Sequence, residues 1–149
     1  MLRTILRLLI KTFSGFFNTD KLSDFFPVSV KGIIIDDGRI ILLKNEREEW
    51  DFPGGKIQLN NSPIETLKRE IKEELNIYVN NEKLVDIKNI YINNLNIIVV
   101  FYMVKVDSNH PIDISFEHIE YNFFKKDEIE NLNILEEYKE IIKKILWKE

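Results

Sequence analysis

The sequence predicts an α/β fold in which helices cover both faces of a sheet, and three observations predict it. First, Val28–Ile35 and Ile40–Leu43 are β-branched, apolar runs separated by Asp36-Asp37-Gly38-Arg39. Within them Gly32–Ile35 and Ile40–Leu43 are near-continuous apolar runs, which, as opposed to alternating ones, belong to strands buried on both sides. Second, Leu84–Ile92 and Leu95–Val106 flank Asn93-Asn94, a dipeptide tolerant of left-handed turn geometry. Third, apolar residues recur at helical spacing in a segment beginning near Pro63, and again at Leu135, Tyr138, Ile142, Ile145 and Leu146.

The totals bound the rest. A chain of 149 residues supports one domain with a proper core and not two ordinary ones. Residues 1–25 read as an amphipathic helix with a connector, and residues 26–149 as the domain. In the helix, Leu2, Ile5, Leu6, Leu9, Phe13, Phe16 and Phe17 form an apolar stripe opposite Arg3, Arg7 and Lys11. Such a stripe usually docks on its own domain, and that reading is preferred to membrane-surface contact through residues 1–17. No stretch reaches the length of a transmembrane helix, and Arg7 and Lys11 interrupt the apolar run that a secretory signal needs.

With no cysteine there is no disulfide framework and no thiolate chemistry, so a bound metal must be a hard cation held by oxygens. The cytoplasm is the expected compartment. A net charge of −4 gives no electrostatic reason to bind nucleic acid, whose partners are basic.

Along the domain, Asp37-Gly38 supplies the positive φ angles of a tight hairpin turn. Lys44 to Glu49 is a charged loop, and Asp107 to Glu120 a polar one carrying His110, Pro111, Glu117 and His118. Tyr121–Phe124 reads as a further strand and Asp127–Leu132 as a turn of helix. No internal repeat or low-complexity linker is present.

The chemistry concentrates in Trp50–Ile77. Ser62-Pro63-Ile64-Glu65 is a helix start, with Ser as N-cap, Pro at the first helical position and Glu closing a capping box. Ile64, Leu67, Ile71, Leu75 and Tyr78 are expected on its buried face, with Glu70 and Glu74 beside that stripe and Glu73 slightly further round. Glu65–Arg69 and Arg69–Glu73 are favourable pairs, whereas Glu70–Glu74 is a like-charge pair costing about 0.2–0.5 kcal/mol. A cation reverses that sign. From spacing alone two readings stay open, a solvated helix flank and a metal site. Gly54-Gly55, following Phe52-Pro53, permits backbone geometry closed to other residues and lets carbonyls point inward.

The segment Gly55–Ile77 resembles the signature of the Nudix hydrolases: Gly, five residues, Glu, seven residues, then Arg-Glu-aliphatic-any-Glu-Glu-any-Gly-aliphatic. Gly55, Arg69, Glu70, Ile71, Glu73, Glu74 and Ile77 match in register, and Trp50-Asp51-Phe52-Pro53-Gly54 resembles the usual lead-in. Asn61 stands where the first Glu is expected, and Asn76 where the second Gly is expected. Asn76 is the milder departure, since Asn also adopts the left-handed conformation that ends a helix. Asn61 bears on the bracing of Arg69.

The resemblance implies a Nudix-type α/β/α sandwich with a mixed sheet. It implies hydrolysis of a phosphoanhydride in a nucleoside diphosphate linked to another group, with Mg²⁺ or Mn²⁺. The implied metal ligands are Glu70 and Glu74, with Glu73 as a further ligand or base support and the Gly54 carbonyl as an oxygen donor. Arg69 orients the glutamates. One more glutamate comes from the loop before the late strand, by spacing Glu117, with Glu120 second. The general base is left among Glu70, Glu73 and Glu117, and His110 and His118 read as loop residues. Trp50, Phe52 and Tyr102 read as core before base-stacking groups, and Tyr91 as a sheet aromatic. The alternative, motivated by Asn61, is a catalytically weak module that senses a nucleotide.

Overall fold

The computed structural model describes residues 26–107 and 111–146. The expected N-terminal helix and His110 lie outside these residues. The elements are β1 (Val28–Asp36), β2 (Arg39–Lys44), β3 (Trp50–Asp51), β4 (Gly54–Lys56), α1 (Pro63–Leu75), β5 (Val79–Ile92), β6 (Leu95–Val106), β7 (Glu120–Phe124), a 3₁₀ segment (Lys126–Asn131) and α2 (Glu136–Leu146).

The strands form one mixed sheet in the order β3-β2-β1-β6-β5, with β4 added on β1 and β7 on β2. β1 runs parallel to β6 from Val28↔Ile98 to Ile34↔Val104. Its opposite edge is shared: β4 takes Ser29 to Lys31, and β2 takes Ile35 and Asp36. The chain therefore forks beside the middle of β1, where the Gly32 amide donates to Pro53 O at 2.8 Å.

Both faces of the sheet are buried, as the near-continuous apolar runs require. Ile40 and Leu42 join Ile33, Phe52, Phe101 and the α2 residues Tyr138, Ile141 and Ile142 in one core. Ile41 and Leu43 join Val30, Ile34 and the α1 residues Leu67, Ile71 and Leu75 in the other. This is an α/β/α sandwich. Phe101 packs edge-on against Phe52 and Tyr138, with ring centroids 5.8 and 5.5 Å apart. Trp50 stands edge-on to Phe124 at 4.7 Å. Trp50 and Phe52 are thus core residues.

The local signals operate as read. Ser62 Oγ accepts from the Glu65 amide while Glu65 Oε2 accepts from the Ser62 amide, and α1 ends on Asn76 at φ 57°. Asp37 and Gly38, and Asn93 and Asn94, have positive φ at the two hairpin turns. Tyr91 lies on β5 as a largely exposed sheet aromatic.

Some expectations are corrected. Ile64 and Tyr78 are exposed at 37% and 53%, whereas Thr66 and Glu74 are buried. The helix presents Leu67, Ile71 and Leu75 to the sheet; Ile64 sits in the first turn at the edge of the contact. Tyr78 follows the end of α1, with Lys72 Nζ 4.2 Å from its ring centre. β5 begins at Val79, before the apolar pattern does, and shifts register between Asn80 and Lys83 and between Leu84 and Asp86. Those shifts break the alternation that marks a strand. β3 and β4 are too short, and too rich in glycine, to show as strands in the sequence.

Gly54 has φ +134°, and a Cβ there would sit 2.2 Å from Val30 O; at Gly38, φ is +69° with open space around it. Gly38→Ala therefore meets only backbone strain of about 1–2 kcal/mol, while Gly54→Ala meets strain and a backbone collision. Urea unfolding is expected to place Gly54→Ala well below Gly38→Ala in stability; equal midpoints would show that the turn relaxes freely.

Candidate active site

The turn Pro53–Gly55 lies between β1 and the edge of α1, and its glycines are where two glutamates approach the backbone. The Gly54 amide donates to Glu74 Oε2 at 2.7 Å. A Cβ on Gly55 would fall 2.5 Å from the carboxylate carbon of Glu70. Gly54 thus admits the strand and Gly55 the carboxylate. Glu70 and Glu74, one helical turn apart, face this turn, and Glu73 stands outside it, largely exposed.

Arg69 is shared between two of the glutamates, with Nη2 2.5 Å from Glu70 Oε1 and Nη1 2.8 Å from Glu73 Oε2. Burial raises the Glu70 pKa above its ordinary value; the Arg69 charge opposes this, and the Glu74 and Glu73 charges add to it. The site therefore holds more negative charge than its one guanidinium offsets comfortably.

Glu74 is 8% exposed, and its second oxygen, Oε1, lies 3.0 Å from His118 Nε2. The loop after β6 delivers that histidine. Its Asp113 and Ser115 amides donate to Leu75 O and Glu74 O at 3.1 and 3.0 Å. Two carbonyls left over at the C-terminal end of α1 are so satisfied. His118 N then donates to Ser115 O, and Ile119 N to Lys44 O. His118 Nδ1 is buried without a protein partner.

The structure brings Gly54, Arg69, Glu70, Glu73 and Glu74 together. It leaves Glu117 exposed on the loop, one residue before the side chain that does reach Glu74. Glu120 faces Lys44 at 3.6 Å. Asn61 donates its amide to Gln58 O while the Arg69 guanidinium goes to Glu70 and Glu73, so the arginine is held without a glutamate at that position. Among the described residues no group of three or more histidine and acidic side chains is arranged to hold a metal ion by itself.

Two participants escaped the sequence reading. His118 reaches the site through a loop path that spacing does not encode. Lys31 was legible: alternation along β1 puts it on the face of Ile33, where a charged residue must find buried partners.

A profile of the NUDIX domain matches residues 26–145. The chain is 41% identical over 58 residues to an RNA pyrophosphohydrolase of Halorhodospira halophila, covering 37% of this chain and 32% of that protein. It is 36% identical over 55 residues to an 8-oxo-dGTP diphosphatase of Buchnera aphidicola, covering 34% of this chain and 42% of that protein. The matched segments thus span less than half the length of these curated relatives. The crystal structure of a MutT NUDIX hydrolase from Burkholderia pseudomallei superposes with TM-score 0.74 at 22% identity, covering 81% of this chain and 98% of that one. At that identity the likeness is one of fold.

The raised Glu70 pKa has a testable sign. Because the folded pKa lies above the ordinary 4.5, ionisation of Glu70 costs stability, and the cost appears as pH rises through the folded pKa. In a chelator, Glu70→Gln should therefore gain on wild type in thermal stability between pH 4 and pH 7. A difference that stays flat or reverses would show that Arg69 fully compensates the charge.

Proposed function

The chain belongs to the NUDIX domain family, and on that premise we propose that it hydrolyses a phosphoanhydride bond in a nucleoside diphosphate linked to another group, using Mg²⁺ or Mn²⁺. The observation that carries this reading is the pair of carboxylates, Glu70 and Glu74, packed onto the Gly54-Gly55 turn. The pyrophosphohydrolase and diphosphatase named among the relatives support the reaction class.

The residues fit a hard divalent ion. Burial and neighbouring carboxylates raise the Glu70 pKa, a crowding of negative charge that a cation relieves, and the donors are oxygens with one imidazole beside them. Glu70 and Glu74 would hold the ion, with the Gly54 carbonyl, which also accepts from Lys31 Nζ at 3.4 Å, as a further oxygen donor, Glu73 as a flanking carboxylate and Glu117 as one that the exposed loop would have to bring in. Mg²⁺ is usually held by few protein oxygens with substrate phosphates completing the shell, so the reading does not require a group of three protein side chains arranged around the ion in advance. The ion would offset phosphate charge, keep the phosphates in line and make the attacking water more acidic.

The protein's own part is positioning. Arg69 hydrogen-bonds Glu70 and Glu73, and the Gly54 amide and His118 each meet one oxygen of Glu74. Water adds to phosphorus, the bridging P–O bond breaks, and the water's proton passes to a carboxylate drawn from Glu70, Glu73 and Glu117. A cavity of about 210 Å³ beside Asp51, bordered by Trp50, Asn45, Asn133 and Tyr138 and not by the carboxylates themselves, is a candidate for the part of the substrate away from the phosphates. It is smaller than the roughly 300–1,000 Å³ of a drug-sized pocket, so it would take one part of a nucleotide.

The sensing alternative, motivated by Asn61, is less favoured because Arg69 keeps hydrogen bonds to Glu70 and Glu73 with asparagine at that position. The cytoplasm is the proposed compartment, supported by the absence of cysteine. Among the described residues no helix is long and apolar enough to cross a membrane. The proposed membrane-surface contact of residues 1–17 concerns residues outside those described.

A panel of nucleoside triphosphates and nucleotide derivatives, assayed with Mg²⁺ and with chelator, tests the reading. Wild type should release product from at least one member only with metal present, and Glu74→Gln should lower that kcat by about 100-fold or more. Indistinguishable rates for the two proteins across the panel would refute the assignment.

A further inference from the structure

Lys31 is a buried cation that the reaction scheme does not use. It is 9% exposed, and its ammonium meets three oxygens: Asp51 Oδ2 at 2.7 Å, Phe52 O at 3.1 Å and Gly54 O at 3.4 Å. An ammonium has three protons to donate, so its capacity is filled. The next residue of β1 completes the set, since Gly32 N donates to Pro53 O at 2.8 Å. Three consecutive carbonyls, at 52, 53 and 54, are thus gripped by two adjacent residues of one strand.

The grip reaches the site through a single peptide unit. The Pro53–Gly54 peptide is held at its oxygen by Gly32, and its N–H points at Glu74 Oε2. The peptides on either side have their oxygens held by Lys31. Rotation of the Pro53–Gly54 peptide alone breaks the Gly32 hydrogen bond, and any larger displacement of the turn that carries the Gly54 amide away from Glu74 breaks the contacts to Lys31 as well. Burial by itself lowers the pKa of Lys31, but the charge and hydrogen bond of Asp51 and the charge of Glu74 act against it and leave the pKa raised, so the group remains an ammonium.

We propose that Lys31 is a positioning residue of the site: it fixes the Gly54 peptide and, through the Gly54 N–H, the Glu74 carboxylate, without touching the reacting atoms. Its effect on turnover rests on the hydrolase reading above; its effect on the turn does not. The competing account is a buried ion pair that serves stability alone. Such a pair is replaceable once both charges are removed together, because no uncompensated charge is left behind.

The double variant Lys31→Met/Asp51→Asn in the full chain separates the two accounts, with Lys31→Gln, which keeps one donor group, read in the same way as a second variant. The first readout is hydrogen exchange of the Gly54 amide by NMR, without metal or nucleotide. In a folded variant, Gly54 should lose protection while the β1 amides paired with β6 keep theirs. The second is turnover of whichever nucleotide wild type hydrolyses: kcat should fall about 10- to 100-fold, with KM changing much less. Wild-type Gly54 protection in folded variants would overturn the proposal, as would wild-type kcat in an active enzyme. If wild type turns over nothing, the hydrolase reading fails on its own, and the Gly54 amide still decides the role of Lys31.

Discussion

Everything around the site depends on how closely three layers of backbone approach one another. Gly32 lets the Ile71 side chain rest on β1, Gly54 lets the turn rest on Val30 O, and Gly55 lets the Glu70 carboxylate rest on the turn. A β-carbon on any of them would meet an atom within 2.2 to 2.7 Å. The collision at Gly54 is with backbone, which has nowhere to go; the one at Gly32 is with the end of a side chain that can shift. The distance between strand and helix is thus set by the absence of side chains, and that distance puts the Glu74 carboxylate within reach of the Gly54 amide.

The same closeness makes the electrostatics workable. A half-buried carboxylate needs hydrogen bonds to stay charged, and the donors come from several elements: Arg69 from the helix, Gly54 from the turn and His118 from the loop. Lys31, from β1, adds positive charge behind the turn. The arrangement leaves Glu73 as the more exposed and less committed acid, available to groups arriving from solvent. An acidic site on a chain of net charge −4 is reasonable when positive charge is provided from within.

How much of this was legible varies with the range of the interaction. The hairpin turns at Asp37-Gly38 and Asn93-Asn94, and the Ser62–Glu65 cap, are local and were read correctly. The two-sided burial of β1 and β2 followed from the near-continuous apolar runs Gly32–Ile35 and Ile40–Leu43. That Gly54, Arg69, Glu70, Glu73 and Glu74 lie near one another was legible because one helix and one turn carry them, while their roles rest on the resemblance of Gly55–Ile77 to the Nudix signature. What escaped depended on long-range placement. His118 reaches Glu74 across 44 positions on a loop whose course is fixed by backbone hydrogen bonds, which leave no pattern in residue types. The buried position of Thr66 and the exposed one of Ile64 reflect where the sheet ends, and helical periodicity carries no information about that.

The fork beside β1 has a consequence for how the protein is made. Val28 and Ile34 pair with Ile98 and Val104, so one edge of this Val- and Ile-rich strand waits for partners far downstream in the chain. Parallel pairings of such sequence separation form late and slowly. The β1–β2 hairpin closes through a two-residue turn and joins only the far end of β1. The segment from Val28 to Ile34 is therefore exposed during synthesis at ribosomal rates. In the interval between translation of β1 and of β6 that edge of the strand has no partner, and Lys31 puts a charge in the middle of the segment, where a charge opposes intermolecular strand pairing.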